Sequence, residues 1–220
     1  MLISYLFFFS VYSVLGWVYE TVLCSLEAGH TVNRGFLNGP YCPIYGFGAV
    51  LFLVLLGKEK SPALIFLFGA LIATATEYAT SVIMERIFKA RWWDYSKFKF
   101  NLDGRVCLGA SVIFGAFAVL LIKLIHPFLL NVLSAIPSAV YYALTAAMTA
   151  VFILDFFITV KGFRGFAAKV SADKEGDGQY SLSRQQERLI KAFPTMRSLD
   201  TNGNFEVYRK KFNDKQKKKR

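Results

Sequence analysis

The sequence predicts an all-α fold: a polytopic membrane helix bundle of about five transmembrane helices, N-terminus outside, C-terminus inside, with a basic cytoplasmic tail. Three observations lead there. Of 220 residues, 55% are hydrophobic and only 19% charged, against roughly one quarter charged in soluble domains. Five stretches approach the ~20 apolar residues that carry a helix across the roughly 30 Å hydrocarbon layer. The cations collect at one end: from Lys161 onward 16 Lys or Arg stand against 7 Asp or Glu, most of the net charge of +11.

The first stretch, 2–26, has no Lys or Arg before Arg34 and runs too long for a signal segment, so it reads as a retained span. The second, 39–57, opens on Gly39-Pro40-Tyr41-Cys42-Pro43-Ile44-Tyr45-Gly46, a run of helix breakers, and only 49–56 is cleanly apolar. A broken or partly re-entrant helix is expected there. Stretches 62–88, 104–125 and 136–160 follow. Between the third and fourth, Trp92-Trp93-Asp94-Tyr95 and Phe98-Lys99-Phe100 interleave rings with cations, a mixture suited to the headgroup level.

Cytoplasmic loops carry the excess of Lys and Arg. Arg34, then Arg86, Lys89, Arg91, Lys97, Lys99 and Arg105, then the tail, alternate with loops holding only Lys58, Lys60 and Lys123. The domain division is therefore a transmembrane part, 1–160, and a tail, 161–220. Within the tail, 171–181 reads as a linker. Ser183 with Gln186 is a capping-box pattern, and Leu182, Leu189, Ile190 and Phe193 share one face of a short amphipathic helix near 183–193, placed on the membrane or on a partner. The segment 205–220 is too polar to form a core. A basic tail on a membrane body faces anionic lipid more simply than nucleic acid.

The chemistry-bearing residues are carboxylates within apolar helices, Glu20, Glu77 and Asp155, because a charge at a helix centre costs about 2.5–3.5 kcal/mol on insertion scales. In the expected orientation all three fall in the cytoplasmic half, with Asp103 and Glu85 near the boundary and Arg34 and Arg105 at the same level. Ala70, Ala73, Thr74, Thr80, Ser81 and Met84 make a small, polar stripe around Glu77, which points it into the bundle. Two readings stand side by side: a polar cavity lined by Glu20, Arg34, Tyr45, Glu77, Asp103, Arg105 and Asp155 that takes a cation, a proton or an amine, or internal pairing with Arg34 and Arg105 that locks the bundle.

Other signals are weak. The three cysteines, Cys24, Cys42 and Cys107, form no metal or disulfide pattern, and His30 and His126 are expected on opposite sides, so no cofactor or metal is expected. Asp173-x-Glu175-x-Asp177-Gly178 lacks the closing Glu of a calcium loop, and Asp200-Thr201-Asn202-Gly203-Asn204 has Phe205 where the glycine belongs. Leu182-Ser183-Arg184-Gln185-Gln186 faintly echoes an ATPase signature loop, yet no phosphate loop G-x-x-x-x-G-K-[ST] occurs anywhere.

Four motifs carry a family resemblance over roughly 16–115: Gly16-Trp17-Val18-Tyr19-Glu20, Asn33-Arg34-Gly35-Phe36-Leu37-Asn38-Gly39-Pro40, Cys42-Pro43-Ile44-Tyr45-Gly46, and Trp93-Asp94-Tyr95 leading to Asn101-Leu102-Asp103-Gly104-Arg105-Val106-Cys107-Leu108. With them the chain resembles the bacterial putative ABC-transporter type IV (CmpB-like) membrane proteins. The resemblance implies a multi-pass inner-membrane permease with membrane lipid around it and a separate ATPase subunit, and leaves self-association open. The leading expectation is thus a transport component. A non-transporting adaptor recruiting a partner through its tail is the alternative, and a lipid-modifying enzyme with Glu20 or Glu77 as base a weaker third.

Overall fold

In the computed structural model, residues 2–172 and 183–198 are described, with side chains at 2–164 and 183–196. Helix α1 (Leu2–Ala28) ends where Gly29 turns left-handed at φ +68°, a conformation glycine adopts without a Cβ clash. The chain then doubles back without helix. Not until the Cys42 N–H reaches the Ser13 carbonyl, 2.9 Å away and midway along α1, does α2 (Pro43–Leu56) begin, with proline in its first turn. Fourteen residues rise only about 21 Å, short of the hydrocarbon thickness.

The expected span 39–57 is therefore a composite: extended backbone first, helix second. Four helices are long and apolar enough to cross a membrane, and α2 is a fifth, shorter one. The reason is local, since Pro40 and Pro43 lack an N–H and the Cys42 N–H between them bonds the Ser13 carbonyl of α1 instead of a helix of its own.

Helix α3 (Pro62–Phe88) has the expected bounds. The Ser61 hydroxyl caps it by accepting from the Leu64 N–H, and Lys89, left-handed at φ 51°, closes it. Strand β1 (Ala90–Arg91) follows, then a small antiparallel hairpin of β2 (Asn101–Leu102) and β3 (Val106–Cys107), with Asn101 opposite Cys107. Helix α4 (Leu108–Leu120) continues through one wide turn, Leu121–Ile125, into α5 (His126–Ser134) as a single spanning rod, Leu108–Ser134. It begins and ends later than the predicted 104–125, because the hairpin holds 101–107 in extended pairing. Helix α6 (Ser138–Ala172) runs on past Val160. After residues outside the description, α7 (Arg184–Ala192) forms on the predicted capping box of Ser183 and Gln186, and β4 (Arg197–Ser198) pairs antiparallel with β1. Most of the linker at 171–181, the Leu182 position and the segment 205–220 lie outside the described residues.

Packing is closest where side chains are smallest. A Cβ on Gly46 would stand 2.2 Å from the Ser13 hydroxyl and 2.4 Å from the Phe9 carbonyl, so α1 and α2 touch backbone to side chain. A Cβ on Gly69 would stand 2.3 Å from that of Ala118, and Thr74 bonds Ser111 at 2.6 Å, so α3 and α4 lie antiparallel in equal intimacy. Two apolar cores result. One joins Phe7, Phe8, Phe52, Leu56, Ile65 and Ile122 at one end; the other joins Phe88, Trp92, Phe163, Leu189, Phe193 and Met196 at the opposite end. Between them along α3 lie the buried Glu77 and Ser81. Leu67, Leu71, Leu124, Phe128, Leu154 and Phe157 point outward, as side chains facing lipid do.

Candidate functional site

Six of the seven residues expected to share one cavity are divided among three separate networks. In the first, α1, the following loop and α2 meet: Arg34 Nε lies 3.1 Å from Glu20 Oε2, and the Tyr45 hydroxyl donates to Glu20 Oε1 at 2.6 Å. Both carboxylate oxygens are thereby engaged. Arg34 also donates to the Ala192 carbonyl and lies 4.5 Å over the Phe193 ring, which ties this network to α7.

In the second, Asp155 of α6 serves the broken segment. Its Oδ1 accepts from the Asn38 N–H and side-chain amide and from the Thr159 hydroxyl, and its Oδ2 accepts from the Gly39 N–H at 2.7 Å. Arg188 of α7 does the complementary task, donating to the Gly35 carbonyl at 2.9 Å and the Phe36 carbonyl at 2.8 Å. Burial lowers the Arg188 pKa, and nearby Asp155 partly offsets that. One side chain thus satisfies amide donors and another carbonyl acceptors of a non-helical stretch inside the bundle, where water cannot do so. The sequence reading missed Arg188. It stands far along the chain from Gly35, and only folding joins them.

The third network gathers at the hairpin. Glu85 holds Arg91 at 2.6 Å and Arg105 at 2.5 Å; Arg105 holds Asp103 at 3.3 Å, and the Tyr78 hydroxyl donates to Asp103 at 2.8 Å. Its charges are matched internally.

Glu77 belongs to none of them. It is 7% exposed, about 18 Å along α3 from Ile65 of one core and about 17 Å from Phe88 of the other. Oε1 accepts from the Tyr95 hydroxyl at 3.0 Å, while Oε2 is buried with no hydrogen-bond partner among the described residues. No cation lies within 4.0 Å of it among those residues, so neither Arg34 nor Arg105 is its partner. Burial raises the pKa of the Tyr95 hydroxyl, with the neighbouring Glu77 adding to the rise. Tyr95 was another omission, read only as an interfacial ring.

No group of three metal-binding side chains occurs among the described residues. A cavity of 620 Å³ opens between α1 and α6, but its walls are Ile3, Leu6, Tyr142, Thr145, Ala146 and Ile153, apart from the carboxylates.

A mostly helical chain with four spanning-length helices, apolar outward faces and charges held inside is a multi-pass membrane protein. The model of the putative ABC-transporter type IV family matches residues 7–160, so the chain belongs to that family and to membrane transport components. The match is wider than the motifs at 16–115 and stops before α7. No curated protein and no solved structure matches the chain.

Proposed function

We propose that this chain is the permease-type subunit of a transport complex in a bacterial inner membrane, N-terminus out and C-terminus in, and that Glu77 is its working group. Glu77 takes up a proton or a small cation at Oε2 during the transport cycle. The supporting observation is that unpartnered oxygen: every other carboxylate of the set has its charge answered by protein, and an unanswered buried charge is the expensive case. Tyr95 fixes the carboxyl group from the interfacial loop, leaving one face free. The chain itself is no ATPase, so a separate nucleotide-binding subunit supplies the energy.

Purification from the native membrane is expected to recover that ATPase, and Glu77→Gln is expected to lower the ATP-driven phosphate release of the reconstituted complex. Recovery of the chain alone, or phosphate release unchanged in Glu77→Gln, overturns the proposal. The adaptor reading has its own support, since six of the seven residues sit in internal networks, as a scaffold requires. On that reading Glu77→Gln alters stability only.

A further inference from the structure

The turn between β1 and β3 presents eight consecutive exposed residues, 96–103. Phe98 is 58% exposed, Phe100 81% and Leu102 58%, and Lys97 and Lys99 alternate with them. Phe100 has φ 53°, a left-handed conformation that bulky side chains rarely adopt and that marks a position held by its surroundings.

The base of the turn is firmly built. Tyr95 N–H donates to the Gly104 carbonyl at 2.8 Å, the Asn101 side chain to the Phe98 carbonyl at 2.8 Å, and Trp93 to the Arg105 carbonyl at 2.9 Å. Beneath, Glu85, Arg91, Arg105 and Asp103 neutralise one another. Lys97 and Lys99 have no ion pair within 4.0 Å among the described residues. A rigid base therefore carries a tip of uncovered rings and uncompensated cations. That tip lies between the end of α3 and the start of α4, where two spanning helices meet the bilayer face.

We propose that the 96–102 turn is an anchor for anionic lipid: Phe98, Phe100 and Leu102 enter the boundary between headgroups and acyl chains, while Lys97 and Lys99 meet headgroup phosphates. Charge complementarity and position select this occupant. Rings alone suit any apolar surface, but rings alternating with lysines at the end of a membrane span match the aromatic belt and the negative surface potential of a leaflet. The anchor stands independently of the transport role of Glu77.

The test is hydrogen exchange on the full chain in nanodiscs of phosphatidylcholine, with and without phosphatidylglycerol. Two lysines near an anionic surface favour the seated turn by up to about thirtyfold. Amides over 96–102 are expected to exchange more slowly in the anionic discs by up to that factor, and K97Q/K99Q is expected to erase the difference. Both lysines are exposed, so the variant keeps its fold, and the basic tail, unchanged in it, serves as the internal control. Phe100→Gly is expected to weaken the protection while relieving the strained φ. Equal exchange in the two discs overturns the proposal. So does protection that survives in K97Q/K99Q, or that requires a second copy in the disc or an added soluble protein.

Discussion

Glu20 and Glu77 are the same side chain in the same kind of helix, and their neighbours give them opposite characters. Glu20 is held by Arg34 and Tyr45 on its two oxygens, whereas Glu77 has one oxygen bonded and one open. Glu20→Gln strands the half-buried Arg34 and is expected to destabilise the protein by about 1–3 kcal/mol, read as a fall in melting temperature in detergent. Glu77→Gln removes a charge without a counterion, so melting is expected to stay level or rise. A large fall in the second variant and none in the first would reverse the assignment. Sequence alone identified both as costly residues in lipid but could not say which was answered, because Arg34 and Arg105 were equally available as partners to either.

At the scale of elements, the second passage shows what small residues permit. Gly46 lets α2 start against Phe9 and Ser13, and a methyl group there has no room. Gly46→Ala is expected to cost about 1–3 kcal/mol through forced separation of α1 and α2. The measure is denaturant unfolding in detergent, with Gly48→Ala as comparison, since no atom lies within 4 Å of a Cβ there. Equal effects would mean that the contact carries no weight. The breakers at 39–48 announced an interrupted helix, and the structure has one. Its depth was not legible, because that depends on Cys42 meeting Ser13, a contact between residues far apart in sequence.

For the molecule as a whole, the unexpected feature is the place of α7. Its apolar face, Leu189, Ile190 and Ala192, is covered by Phe88, Trp92 and Phe163 of the body, so in this structure it rests on its own chain. Arg34 and Arg188 fasten the two parts reciprocally, one reaching from the loop to α7 and the other from α7 to the loop. Arg188→Ala is expected to leave the Gly35 and Phe36 carbonyls unanswered, at about 1–3 kcal/mol each, and to speed amide exchange across α7 and the 35–39 segment together. Faster exchange in α7 alone would show that the loop does not depend on it.

The sequence by itself determined that this chain is a helical membrane protein, roughly where its long apolar helices run, where the short tail helix is capped, and which family it resembles, because length, hydropathy, capping residues and motifs are local properties. Only the tertiary structure decided which carboxylate is left open, how the broken passage is satisfied and what the amphipathic helix covers. None of these follows from local pattern: the open carboxylate depends on which of several nearby cations reaches it, and the broken passage on partners more than a hundred residues away, as Gly39 and Asp155 are, because backbone groups that leave a helix inside a membrane protein are satisfied by the rest of the fold.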